Sequence, residues 1–76
     1  MLTLSPGVYR HFKGRYYLVL GEALHSETQE EMVVYQPLYG EPRWFVRPKT
    51  MFLETLDRAG VPVPRFEYVG PSSPHL

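Results

Sequence analysis

Between two apolar runs lies His25-Ser26-Glu27-Thr28-Gln29-Glu30, which packs an imidazole, two hydroxyls and two carboxylates into six residues. A hairpin turn needs only a few polar residues, so this stretch is richer than turn geometry requires. Its chemistry suits the binding of a small polar ligand, with His25, Ser26, Glu27, Thr28 and Glu30 supplying donors and acceptors. Arg47 adds a fixed cation, because the strand-ending Pro48 follows it directly. The plainer alternative is structural: Ser26 and Thr28 bond to nearby backbone, the glutamates stay in water, and one of them pairs with Arg47. Serine beside histidine is not a catalytic triad, since nucleophile and base must meet in space with a third orienting group and an oxyanion site. The enzymatic alternative uses His25 as general base oriented by Glu27 or Glu30. No catalytic residue is assigned on this basis. His25 and Glu27 could face one ion, but two ligands do not make a metal site. The chain also lacks cysteine, zinc-type spacing and a glycine-rich phosphate loop, so neither metal nor cofactor is expected.

Six tyrosines, four phenylalanines and Trp44 form a second reservoir of chemistry. Exposed aromatics on small β domains stack against bases, prolines or methylated amines. Buried ones fill a core, and tyrosine can do so while its hydroxyl reaches water. Arg10, Lys13, Arg43, Arg47 and Lys49 could join across a sheet into an anion site.

The elements that must position these groups read as strands. Gly7-Val8-Tyr9-Arg10-His11-Phe12 runs into Lys13-Gly14, a hairpin signal, and Arg15 to Leu24 continues as a second strand with a bulge expected at Gly21. Met32 to Gln36 is nearly continuous in apolar character and reads as a central strand. Tyr39-Gly40-Glu41-Pro42 is a turn leading to a fourth strand, residues 43–47, with Phe45 and Arg47 on one face and Trp44 and Val46 on the other. Residues 50–54 read as a short helical turn capped by Thr50, followed by extended chain and a hairpin turn at Asp57-Arg58-Ala59-Gly60. Prolines 62 and 64 confine any strand between Val61 and Val69 to an edge. The fold expected is mostly β: a small SH3-like, partly open barrel of about five strands.

Seventy-six residues allow one domain, with its core at residues 7–69 and a loose tail at 70–76. Net charge is zero, which disfavours non-specific binding to nucleic acid or to an anionic membrane. Charge sign alternates along the chain, basic then acidic then basic, so neighbouring strands attract. Absence of cysteine, of a signal segment and of a long apolar run leads to the expectation of a cytoplasmic protein. An exposed edge strand could pair two copies into a weak homodimer.

Gly7-Val8-Tyr9-Arg10-His11-Phe12-Lys13-Gly14, Tyr17-Leu18-Val19-Leu20-Gly21, residues 25–30, Val33-Val34-Tyr35, Leu38-Tyr39-Gly40, Val46-Arg47-Pro48, Met51-Phe52 and Pro64-Arg65-Phe66, in that order, resemble the small bacterial family called domain of unknown function 1653. The resemblance runs from Gly7 to about Val69. One departure concerns the aromatic-valine-arginine-proline run, where the family usually has tryptophan first and this chain has Phe45, preceded by Trp44. The resemblance implies an architecture and no assigned activity. The function expected from the residues is a non-enzymatic binding module for a small polar ligand, a peptide or a nucleic-acid segment. A small enzyme or an assembly domain are its alternatives.

Overall fold

The computed structural model describes residues 4–71. Strands β1 (Gly7–His11), β2 (Tyr16–Leu24), β3 (Glu31–Pro37) and β4 (Phe45–Pro48) are followed by the helix α1 (Lys49–Phe52) and strands β5 (Thr55–Arg58), β6 (Val61–Pro64) and β7 (Phe66–Gly70). Five of them form one antiparallel sheet in the order β4-β3-β2-β1-β7, while β5 and β6 make a separate hairpin. The mostly β class, the five-stranded sheet and the short helix match the sequence expectation. The sheet does not close into a barrel: β4 and β7 remain its two edges.

Local chemistry accounts for most of the boundaries. At the β5–β6 turn both Ala59 and Gly60 take positive φ (53° and 83°), the geometry of a two-residue hairpin that follows strand twist, and Gly60 N–H donates to Asp57 Oδ1 at 2.9 Å. The helix starts one residue earlier than expected and without Thr50 as its cap. Pro48 occupies the cap position at φ −52°, no side chain caps the helix, and Thr50 sits inside it. Proline ends β4 and presets φ for the turn that follows, so a hydroxyl cap is not needed to start four residues. The fourth strand likewise begins at Phe45 rather than Arg43, because ladder pairing with β3 reaches only Tyr35↔Phe45. The tail expected at 70–76 lies, past Pro71, outside the described residues.

The core is one-sided and aromatic. Tyr9, Val19, Val33 and Tyr35 point from β1, β2 and β3 to the same face, where Phe52 of α1 and Phe66 of β7 cover them. Phe52 and Phe66 stack in parallel, with centroids 4.1 Å apart and planes 3° from parallel, and Tyr9 meets Phe52 edge-on at 5.3 Å. Tyr35 touches both phenylalanines.

A bulge in β2 lets charge enter that face. Val19 pairs with Tyr35 and Gly21 with Val34, so two steps along β2 answer one along β3, as expected for a bulge at Gly21. Beyond it Glu22 faces Val33 and turns inward. There its carboxylate meets Lys49 Nζ at 2.8 Å, with Glu31 at 3.4 Å from the same nitrogen. Lys49 is only 7 % exposed, and a buried ammonium requires such partners. The second Glu22 oxygen accepts from Leu4 N–H at 2.9 Å. Both contacts hold the Glu22 carboxyl below the ordinary carboxylate range. Beside the β7 edge, Gly7 of β1, at φ +136°, lies so close to β7 that a Cβ would sit 2.6 Å from Gly70 O; any side chain there collides with backbone.

Phe52 is fully buried in this one-layer cover. Phe52→Ala should therefore cost about 3–5 kcal/mol. A domain of this size has roughly 4–11 kcal/mol to lose. Urea titration of the variant is expected to show a partly or fully lost folding baseline, and a loss under about 1 kcal/mol would contradict the central placement of this ring.

Candidate functional site

The polar loop is closed by its own hydrogen bonds. His25 N–H donates to Glu30 O at 2.9 Å and Gln29 N–H to His25 O at 2.8 Å, with Gln29 at φ +65°. His25 Nδ1 accepts from the backbone N–H groups of Glu27 (3.1 Å) and Thr28 (3.3 Å). Thr28 Oγ1 accepts from Glu30 N–H at 3.2 Å, and Gln29 Nε2 donates to Ser26 O at 3.4 Å. All six residues are exposed. With Nδ1 engaged as an acceptor, the neutral imidazole carries its proton on Nε2, so the nitrogen facing solvent has no lone pair with which to act as a base.

Arg47 belongs elsewhere. It pairs with Val33 in register and lies on the core side of β4, where its Nε donates to Tyr35 Oη at 3.4 Å and its guanidinium sits 5.5 Å from the centre of the Phe66 ring. Among the described residues the ion pairs join Lys49 to Glu22 and Glu31 and Arg65 to Glu54, so Arg47 pairs with neither Glu27 nor Glu30. The basic residues also separate. Arg10 lines a hollow with Arg58 and Phe12, Lys13 lies over Phe12, Lys49 is held by its carboxylates, and Arg43 and Arg47 line a second groove.

That groove, of about 480 Å³, is framed by Tyr17, Tyr35, Tyr39, Phe45, Arg43 and Arg47. None of residues 25–30 lines it. The alternation of β2, β3 and β4 places Tyr17, Tyr35, Phe45 and Arg47 on one face. The turn after β3 swings Tyr39 back so that its hydroxyl shares a 2.8 Å hydrogen bond with that of Tyr17. The Arg15 guanidinium caps the Tyr39 ring at 4.3 Å. Two of the six tyrosines, Tyr9 and Tyr35, are core; Tyr17 is half-buried and Tyr39 exposed, which makes them wall rather than filling. Phe45, 45 % exposed, takes the inward place beside Tyr35, while Trp44 is 69 % exposed ahead of the strand. Sequence spacing marks Tyr17, Tyr35, Phe45 and Arg47 as alternate-face residues. Nothing in it brings Tyr39 or Arg15 to the same place, because that depends on how the turn folds back.

Arg47 is the feature that gives the groove chemical direction. Its Nε is anchored and its plane is backed by an aromatic ring, yet among the described residues its two terminal nitrogens have no partner. A guanidinium held this way presents a preset fork for an anion. Among the described residues no group of three His, Asp or Glu is placed to hold a metal ion, and no helix is long and apolar enough to cross a membrane.

The family model "Protein of unknown function (DUF1653)" matches residues 7–68. The chain belongs to the DUF1653 family. A crystal structure of a DUF1653 protein from Bordetella bronchiseptica is 45 % identical, with a TM-score of 0.84 over 93 % of this chain and 94 % of that one. No curated protein matches the chain. Membership establishes the architecture and the family, and the family's description assigns no activity.

Two titrating groups next to the groove set its pH behaviour. Burial lowers the pKa of His11, which meets Phe66 edge to face and Phe12 at a tilt, and the cations of Arg47, Arg65 and Lys13 lower it further. A histidine that prefers to be neutral in the fold stabilises it above its unfolded value of about 6.5, and that contribution is lost as pH falls below it. Tyr17 is pushed up to about 12, first by burial and then by its bond to Tyr39. Its contribution is complete below about pH 10 and lost as pH rises from there toward the folded-state value. Melting temperature should therefore fall on both sides of a plateau between these limits, with His11→Phe flattening the acid limb and Tyr17→Phe the alkaline one. In the loop, His25→Ala should speed amide hydrogen exchange at Glu27 and Thr28 while costing about 1 kcal/mol or less, since both bonds are exposed. A larger loss would give the loop a share in the core.

Proposed function

We propose that this DUF1653 protein is a non-enzymatic binding module, and that its ligand is a small anionic molecule or segment held in the groove between β4 and the Tyr39 turn. The observation that carries the reading is Arg47: it lines the groove, is anchored at Nε by Tyr35 and backed by Phe66, and its terminal nitrogens have no partner among the described residues. Groove size supports it too, since small-molecule sites are concave, largely apolar spaces of roughly 300–1,000 Å³ with a few convergent polar groups. Of the residues expected to bind, Arg47 stays at the centre of the proposal. His25, Ser26, Glu27, Thr28 and Glu30 become the turn that joins β2 to β3. The use of His25 Nδ1 as an acceptor for its own loop backbone favours a structural role for this residue over general-base catalysis.

A fragment library of mixed charge, screened by amide-resolved NMR on the whole chain, tests the reading. Anionic fragments should shift the resonances of Tyr39, Gly40, Phe45 and Arg47 together, and Arg47→Gln should abolish those shifts. Hits clustered on residues 25–30, or scattered over the surface, would overturn it.

A further inference from the structure

Resting on the groove as a binding site, we infer that the ligand is a nucleotide: a flat base carrying phosphate at its edge, either free or as part of a single strand. Charge complementarity points to the anion. A chain with no net charge gathers Arg15, Arg43 and Arg47 around this groove, with Glu41 the acidic residue among its lining. Phosphate suits the Arg47 fork, which can place two parallel N–H donors on two oxygens, and Arg43 stands exposed at the same rim.

A bare anion would not need the rest of the site. Phe45 leans on Tyr35 at 6.1 Å and has no other described ring contact, so nearly half its surface is open for a planar group to stack on. Stacking of this kind tolerates any base, because every base presents a π-face. The Tyr17 and Tyr39 hydroxyls use one O–H on each other, which leaves one hydrogen and unused lone pairs to meet the polar edge of a base. The Arg15 guanidinium packs on the Tyr39 ring. Phosphate fork, stacking ring and edge-reading hydroxyls thus converge within one groove of about 480 Å³.

Calorimetric or NMR titration of the full chain with adenosine and uridine monophosphates, ribose 5-phosphate, inorganic phosphate, a short deoxythymidine oligomer and an acidic peptide tests this. Nucleoside monophosphates should bind at least about tenfold more tightly than ribose 5-phosphate, the margin expected from one stacked base. Phe45→Ala should erase that margin while the chain stays folded, because the ring is half exposed and lies outside the buried core. Arg47→Lys and Arg43→Gln should each weaken nucleotide binding about tenfold, and should Arg47 variants fail to fold, Arg43→Gln and Phe45→Ala carry the test. An oligomer that binds more tightly than the monophosphates supports a strand as the source, and equal or weaker binding supports a free nucleotide. Equal affinity for ribose 5-phosphate and nucleotide, or binding of the acidic peptide alone, overturns the nucleotide while leaving the groove as an anion site. Absence of any groove response from every probe and from the fragment screen would overturn both readings.

Discussion

A five-stranded open sheet has one face to hide, and this chain offers a four-residue helix and one edge strand to hide it with. Aliphatic side chains on so short a helix would cover too little area. The parallel stack of Phe52 on Phe66 solves the problem: two flat rings, one from the helix and one from β7, form a lid over Tyr9, Val19, Val33 and Tyr35. Large rings bury the most apolar surface per residue, and their edge-to-face contacts add to it. Everything else hangs from this lid. The same Phe66 ring backs Arg47 and contacts Tyr17, so groove and core share a wall.

That sharing separates two kinds of cation. Lys49 is itself buried, and the bulge in β2 brings Glu22 to it; its charge is neutralised within the fold. Arg47 lies at the margin of the rings, where one nitrogen is satisfied by a tyrosine and, among the described residues, the other two have no partner to neutralise them. Basic residues two apart in sequence thus meet opposite fates, one at the end of a strand and the other at the start of a helix. A guanidinium tolerates partial burial against a ring better than an ammonium does, because it is planar and more weakly hydrated.

Much of the ladder was legible in the residues. Glycine at 14, 21 and 60 marks turn, bulge and turn, and alternation on β4 puts Phe45 and Arg47 together as observed. The Thr50 cap failed because proline at 48 had already set the helix start, a local choice between two competent residues. The site was harder. A polar six-residue stretch stands out in a sequence, but its polarity is turned on itself, with imidazole and hydroxyl standing in for missing turn acceptors. The groove drew on residues 15, 17, 35, 39, 43, 45 and 47, which no contiguous pattern joins. Strand pairing brings Tyr17, Tyr35, Phe45 and Arg47 to one face, and the return of Tyr39 onto Tyr17 completes the wall, which is a tertiary fact.

The tight approach of Gly7 to Gly70 has an architectural meaning of its own. Strands β1 and β7 lie side by side, so Gly7, where the chain enters the sheet, and Gly70, where it leaves, are neighbours. A unit whose entry and exit coincide can be spliced into a loop of a host protein without prying that loop apart, or rejoined head to tail and reopened elsewhere. The exposed turn at residues 25–30 is a natural place for the new ends. The glycine that tolerates no side chain is thereby what makes the fold portable.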